Sequence, residues 1–330
     1  MARRTITVVN CHAGGEVGNV VIGGIAPPPG ETVREQMEAL RADDNLRRFL
    51  LREPRGSVAT HANLIVPATR DDCAYGYIIM EPTEYPLMSG SNTICVATVL
   101  LETGMVEMQE PETTVRLEAP AGVVEVRAHC RDGRVETVAF TNVPARATQL
   151  DAALEVPGLG TLAIDIAFGG MWYAIADAAA LGFALEPHEA RDLCDAGEKI
   201  RVAAREQVDG NVSIVQLAGP WQGVGAVSKN AVVISPGRLD RSATGTGLSA
   251  RMAVLHARGL MKAGDTMTHA SPIGSTFDGF IVAETDDGIV PAIRGSGFIT
   301  GRTELYVDER DPFPQGYLLS DTWPGDDVQS

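Results

Sequence analysis

The chain has 330 residues, 45% of them hydrophobic, which is enough to bury the cores of two domains of about 150 residues each. Its net charge of −16 excludes a general nucleic-acid binder, which needs a basic footprint, yet leaves room for a small anion held by backbone amides. The five cysteines (Cys11, Cys73, Cys95, Cys130 and Cys194) form no C-x-x-C, which argues against a zinc site or disulfide framework and for reduced, buried thiols in a cytoplasmic protein. The opening Met1-Ala2-Arg3-Arg4 is basic, but Thr5-Ile6-Thr7-Val8-Val9 alternates like a strand and supplies no signal-peptide core. No apolar run reaches the roughly 18 residues that a membrane span requires. In chain order the periodicity predicts strands over 4–10 and 19–24, a helix over 31–52, a strand over 75–81 and a helix over 90–104. Strands follow over 113–119, 122–129, 134–142, 161–167 and 171–177, then a helix over 186–207 and strands over 211–217 and 230–235. A last helix over 245–259 precedes strands over 279–285 and 303–307. Long helices thus stand singly among many short strands, and 35 glycines imply frequent turns and close backbone approaches.

A shift of 155 residues superposes three separate places. Gly14-Gly15 falls on Gly169-Gly170, Ile79 on Ile234, and Ser89-Gly90-Ser91 on Thr244-Gly245-Thr246. The last match runs on, with Val99-Leu100 on Val254-Leu255 and Gly104 on Gly259, the glycine position of a helix C-terminal cap. Any one match is cheap. Three at one offset and in one order point to a duplicated chain.

Ser89 and Thr244 each precede a predicted helix, with glycine just inside it. A helix start leaves backbone N–H groups without intrahelical partners and carries the positive end of the macrodipole. Two such starts on one carboxylate would suit removal of the neighbouring α-proton, because the carbanion spreads charge onto the carboxylate oxygens. Ser89 and Thr244 would then stand as acid and base on opposite faces of the α-carbon. Simple N-capping explains either residue taken alone. A phosphate loop is the competing reading of Thr244–Gly247, but no G-x-x-x-x-G-K-[S/T] is present.

Two longer strings sharpen this. Met88-Ser89-Gly90-Ser91-Asn92 resembles the M-C-G-H-x signature of the proline racemase family, which includes hydroxyproline 2-epimerases and trans-3-hydroxy-L-proline dehydratases. Asp240-Arg241-Ser242-Ala243-Thr244-Gly245-Thr246-Gly247-Leu248-Ser249-Ala250 resembles the second signature, D-R-S-P-C-G-T-G-T-S-A. Supporting similarities lie at His12–Glu16, Glu53–Gly56, Gly169–Ala174, Gly274–Gly279 and Asp311–Phe313. The resemblance implies an α/β (α+β) fold like that of diaminopimelate epimerase, with two pseudo-symmetric halves. Each half wraps strands around a central helix, and the active site lies in the cleft between them. The halves are expected at 1–150 and 151–301, with strands from about 302–330 expected to complete the first half, because the final strands cross back in similar folds. By the same resemblance the backbone of Gly90, Ser91, Gly245 and Thr246 would bind the substrate carboxylate and Asp240 its ammonium. No metal, pyridoxal phosphate, nucleotide or other cofactor is implied. The expected partners are a small amino-acid substrate and a second copy in a homodimer, with neither nucleic acid nor membrane.

The chain departs from the family where chemistry is decided. Family racemases use two cysteines, and here Ser89 and Thr244 replace both. A hydroxyl is a far weaker base than a thiolate unless something activates it. Ser91 also replaces the family's histidine. Cys95 lies six residues past Ser89, about 9 Å along a helix, and cannot stand in. His12 reads as structural. Family members resembling trans-3-hydroxyproline dehydratases keep the first base and carry threonine at the second position, which suits one-sided proton removal. The expected function is dehydration of trans-3-hydroxy-L-proline to a pyrroline-2-carboxylate, with Ser89 taking the α-proton. The alternatives are a 4-hydroxyproline 2-epimerase or proline racemase-like isomerase with both residues as bases, and an amino-acid binder without turnover.

Overall fold

The offset of 155 residues governs how the strands pair. In a computed structural model, which describes residues 4–308 and 310–324, the chain forms two compact units. One runs to Phe140 and resumes at Gly295; the other is Thr141–Arg294. The first contains β1 (Arg4–Ala13), β2 (Glu16–Gly23), α1 (Val33–Asp43), α2 (Asn45–Leu51), β3 (Thr60–Val66), β4 (Tyr75–Met80), α3 (Gly90–Glu102), β5 (Glu112–Ala119), β6 (Gly122–Arg131) and β7 (Arg134–Thr141). The second contains β8 (Arg146–Val156), β9 (Gly160–Phe168), β10 (Trp172–Asp177), α4 (Ala190–Gln207), β11 (Ile214–Ala218), β12 (Val227–Ile234), β13 (Arg238–Leu239), α5 (Gly245–Ala257), β14 (Thr266–Ala270), β15 (Thr276–Thr285) and β16 (Gly288–Gly295). The last strand, β17 (Gly297–Val307), belongs to the first unit.

Pairing in the first unit alternates: β1–β2 antiparallel, β2–β3 parallel, β3–β4 antiparallel, β4–β5 parallel, then β5–β6 and β6–β7 antiparallel. The second repeats this order as β9–β10, β10–β11, β11–β12, β12–β14, β14–β15 and β15–β16. The fold is therefore two related α/β halves. The strand that ends each sequence repeat joins the other repeat's first strand. β8 runs antiparallel along β9 from Arg146↔Phe168 to Val156↔Gly160, and β17 along β1 from Gly297↔Ala13 to Val307↔Arg4. These long ladders carry residues 141–150 into the second unit and 295–301 into the first, which moves the divisions from the expected 150 and 301.

Each half wraps its strands around one buried helix. α3 and α5 are both 13 residues long and begin 155 residues apart. Twelve residues of α3 and ten of α5 are buried, as a helix enclosed on every side requires. Glycine makes the close approach possible: a Cβ on Gly169 would lie 2.2 Å from the Thr246 carbonyl oxygen of α5. Both helices end at a left-handed glycine, Gly104 at φ 73° and Gly259 at φ 70°.

The predicted helix over 31–52 proves to be two. Asp44 takes a left-handed conformation (φ 53°), and its carboxylate accepts bonds from Arg47, Arg48 and Tyr85. Strands β3, β8, β14 and β16, and the two-residue β13, escape the sequence pattern. β3 is buried on both faces and so lacks alternation, β8 is largely exposed, β14 is only five residues long, and β16 carries Pro291. Among the described residues, no helix is long and apolar enough to cross a membrane.

Candidate active site

Ser89 is the N-cap of α3, in an extended conformation (φ −149°, ψ 129°). Its Oγ makes no capping bond, so the capping reading does not account for it. The first intrahelical bond runs from Thr93 N to Ser89 O at 2.9 Å, which leaves the N–H groups of Gly90, Ser91 and Asn92 outside the helix ladder. Gly90 and Ser91 are both buried. Instead of capping, Ser89 Oγ accepts a hydrogen bond from Asn92 Nδ2 at 3.0 Å.

That amide belongs to a buried polar network that sequence reasoning did not single out. Asn92 Oδ1 accepts from Asn63 Nδ2 at 2.8 Å, which fixes the amide's orientation. Asn92 Nδ2 also lies 3.1 Å from His61 Nδ1 and 3.3 Å from Glu81 Oε1. His61 Nε2 stands 3.2 Å from Glu16 Oε1, and His61 Nδ1 3.5 Å from Glu81 Oε1. Glu16 and His61 are 1% and 3% exposed. The available signal was two polar residues, His61 and Asn63, inside a mostly apolar stretch, Thr60-His61-Ala62-Asn63-Leu64-Ile65-Val66, but a pair is too short to mark a strand, and without one their shared face was invisible.

Thr244 is the N-cap of α5, and it too makes no capping bond. Its backbone sits at φ 56°, ψ 105°, a strained conformation for a β-branched residue. Its hydroxyl donates to Asp240 Oδ2 at 2.6 Å. Asp240 Oδ1 accepts from Ser242 N at 2.9 Å and Ser242 Oγ at 3.0 Å, and Ser242 Oγ accepts from Thr244 N at 3.1 Å. The first helical bond, Leu248 N to Thr244 O, leaves the N–H groups of Gly245, Thr246 and Gly247 outside the ladder. Asp240, Thr244 and Thr246 are each 8–9% exposed.

Within each unit, then, the predicted residues do come together: Ser89, Gly90 and Ser91 at one helix start, and Asp240, Thr244, Gly245 and Thr246 at the other. Each start is braced by a tyrosine–threonine pair, Tyr77 to Thr93 at 2.7 Å and Tyr173 to Thr246 at 2.6 Å. Burial pushes the Tyr77 phenol up to about 12, so it stays neutral. His12 turns out to hold a turn, accepting from Gly15 N at 3.2 Å, with its ring 5.4 Å from Phe298. Cys95 is fully buried in α3, where burial, above all, raises its thiol well above the ordinary range. Among the described residues, no three His, Cys, Asp or Glu side chains are arranged to hold a metal ion.

Residues 8–318 match the family model described as proline racemase. Two solved structures are similar over nearly the whole chain. A hydroxyproline epimerase from Agrobacterium vitis, with trans-4-hydroxy-L-proline bound, is 37% identical, covers 100% of both chains and superposes with a TM-score of 0.90. A probable proline racemase from Agrobacterium radiobacter K84, with bound carbonate, is 38% identical over 96% of this chain and 98% of that one, with a TM-score of 0.89. A PhzF-family phenazine biosynthesis protein from Bacillus anthracis is 11% identical over 91% of this chain and 99% of that one (TM-score 0.62), and shares the fold, which is diaminopimelate epimerase-like.

Proposed function

Because the chain belongs to the proline racemase family, we propose that it removes the α-proton of a proline-type amino acid without a cofactor and dehydrates trans-3-hydroxy-L-proline to a pyrroline-2-carboxylate. The observation that carries this reading is the opposite polarity of two hydrogen bonds. Ser89 Oγ accepts one, whereas the Thr244 hydroxyl donates one. A donor aimed at Ser89 Oγ favours its alkoxide, the form able to take a proton. The Thr244 proton is committed to a carboxylate at 2.6 Å, so delivering it to a second face of the substrate would first cost that charge-assisted bond.

In this reading Ser89 takes the α-proton, the carbon–oxygen bond to the β-hydroxyl breaks as the α,β double bond forms, and the departing hydroxide takes that proton from Ser89 and leaves as water, which returns Ser89 to its starting state. The N–H groups of Gly90, Ser91, Gly245 and Thr246 stabilise the charge that develops on the carboxylate. Asp240 faces the substrate ammonium, and Thr244 holds the ligand or a water near the departing hydroxyl.

The likeness to an epimerase with trans-4-hydroxy-L-proline bound favours a second reading, 4-hydroxyproline 2-epimerase with Ser89 and Thr244 as the two bases. Proton NMR in D2O over proline and the hydroxyproline isomers separates the two. Dehydration yields a pyrroline signal, whereas epimerisation yields an inverted product carrying deuterium at the α-carbon. An inverted 4-hydroxyproline without a pyrroline signal from trans-3-hydroxy-L-proline overturns the first reading, and thermal stabilisation by a ligand without exchange overturns both.

A further inference from the structure

Ser89 and Thr244 hold the same place in a duplicated frame, yet what lies behind them differs. Behind Ser89, an imidazole stands between two carboxylates and meets the Asn92 amide that donates to Ser89 Oγ. At the equivalent positions, 155 residues on, Glu16, His61, Glu81 and Asn92 become Met171, Gln216, Pro236 and Gly247. The Gln216 amide is fully buried, and among the described residues neither its nitrogen nor its oxygen has a hydrogen-bond partner. The second unit builds the same helix start without this network, so the frame itself does not require it. Nor is a buried set of carboxylates and imidazole an efficient way to gain stability.

We propose that Asn92 is a positioning residue that makes Ser89 competent as a base, and that His61, set between Glu16 and Glu81, holds Asn92 in that role. The inference rests on the reading of Ser89 as the base. An N–H aimed at Oγ stabilises the alkoxide more than the hydroxyl, and more strongly in a buried site. An amide nitrogen carries two protons. With the imidazole proton on Nε2, facing Glu16, Nδ1 at 3.1 Å and Glu81 Oε1 at 3.3 Å share one of them and the other goes to Ser89 Oγ at 3.0 Å. A doubly protonated imidazole turns Nδ1 into a donor, which can no longer accept from Asn92 and is drawn to Glu81 Oε1, 3.5 Å away. The charge on His61 therefore sets how Asn92 divides its two protons. Among the described residues, the ionisable groups shown facing this cluster include Glu16 from β2, Glu81 after β4 and the Cys95 thiol of α3, which itself meets the Cys11 thiol of β1.

A double-mutant cycle on α-proton exchange in D2O tests this, with trans-3-hydroxy-L-proline and trans-4-hydroxy-L-proline as probes. A thiol at a helix start ionises without help. Asn92→Ala should lower kcat by about 10²-fold in the Ser89 protein, the cost of losing one preorganised donor, with KM little changed. In the Ser89→Cys background the same change should cost less than about threefold. Equal losses in the two backgrounds, or no loss in the Ser89 protein, overturn the proposal. If Ser89→Cys is inactive, His61→Gln decides, since glutamine stands at the equivalent position of the second unit. A fall in kcat at constant KM with an altered pH profile supports the proposal, and a wild-type rate and profile overturn it. Undiminished exchange in Ser89→Ala would remove Ser89 as the base altogether, an outcome distinct from a failure confined to Asn92 and His61.

Discussion

The starts of α3 and α5 share length, register, a glycine just inside, a bracing tyrosine and a left-handed C-terminal glycine. They differ in the direction of one hydrogen bond. At α3 the hydroxyl is an acceptor, fed by an amide backed by imidazole and carboxylates; at α5 it is a donor, tied to Asp240 from a strained backbone. The backbone frame supplies what both halves need, namely N–H groups free of the helix ladder. The side chains behind it decide whether a hydroxyl is prepared to lose its proton or to hold it. A duplicated frame can thus serve a one-sided reaction without any change of fold.

The largest effect that tests this asymmetry comes from the hydroxyls themselves. Ser89→Ala is expected to lower α-proton exchange by about 10²- to 10⁴-fold, the usual worth of a positioned acid or base. Thr244→Val should cost only about tenfold, the worth of one hydrogen bond of roughly 1.4 kcal/mol. Isotope incorporation followed by NMR checks both. Equal losses would make the two starts equivalent bases and return the chemistry to the epimerase reading.

Next come the glycines beneath the two helices. A Cβ on Gly169 would meet backbone atoms, Thr246 O at 2.2 Å and Ala250 N at 2.5 Å, which cannot yield without moving α5. Gly169→Ala should destabilise the protein by about 1–3 kcal/mol in urea unfolding. A Cβ on Gly18 would meet side-chain atoms, Asn92 Oδ1 at 2.9 Å and Cys95 Sγ at 3.0 Å. Gly18→Ala should therefore cost less stability but more activity, because it presses on the amide that faces Ser89. The reverse ranking would show that the network behind Ser89 has slack.

Much of this was legible in the sequence, and the limit was physical. The offset of 155 found the two helix starts because glycine and small hydroxyl residues are demanded by the backbone there, and such demands leave a periodic trace. Ser89, Gly90, Ser91, Thr244, Gly245 and Thr246 were all found this way. The network behind Ser89 was not, because Glu16, His61, Glu81 and Asn92 come from four separate segments and meet only through strand pairing, and β3 lacks the alternation that marks a strand. The break at Asp44 was missed because Arg47 and Arg48 pair with its carboxylate at i,i+3 and i,i+4, spacings that read as continuous helix, while the break itself lies in the left-handed φ of Asp44, which side-chain periodicity does not report. The exchange of β8 and β17 between repeats also lay beyond local pattern, since nothing local to a strand says which neighbour it joins.

Two buried histidines extend the comparison to pH. His61 in the first unit stands between carboxylates, whereas His269 in the second is fully buried and held down to about 3, first by burial and then by the Arg251 charge. Its folded value lies below the ordinary value of 6.5, so the unfolded chain binds a proton that the native state refuses. The stability associated with neutral His269 is present above pH 6.5 and is lost as pH falls toward 3, at up to about 1.4 kcal/mol per pH unit. Urea titrations of the wild type and His269→Asn between pH 7 and pH 5 check this. The wild type should lose stability faster on acidification, and parallel slopes would show that His269 is not the group responsible.

The smallest effect separates scaffold from site. Offset by 155, the α1–α2 pair corresponds to the single α4, so this region differs between the halves as visibly as the helix starts do. Its difference is expected to be silent in the chemistry. α1 begins with a capping box, in which Thr32 Oγ1 accepts from Glu35 N at 3.1 Å and Glu35 Oε2 accepts from Thr32 N at 3.3 Å. Thr32→Ala removes the first of these bonds and should cost about 1 kcal/mol of stability, with kcat and KM for exchange unchanged. Denaturant midpoint and D2O exchange, measured on one preparation, read both quantities. If this distant cap alters kcat, the polarity at Ser89 depends on the whole first half, and the contrast between the two helix starts cannot be assigned to the side chains immediately behind them.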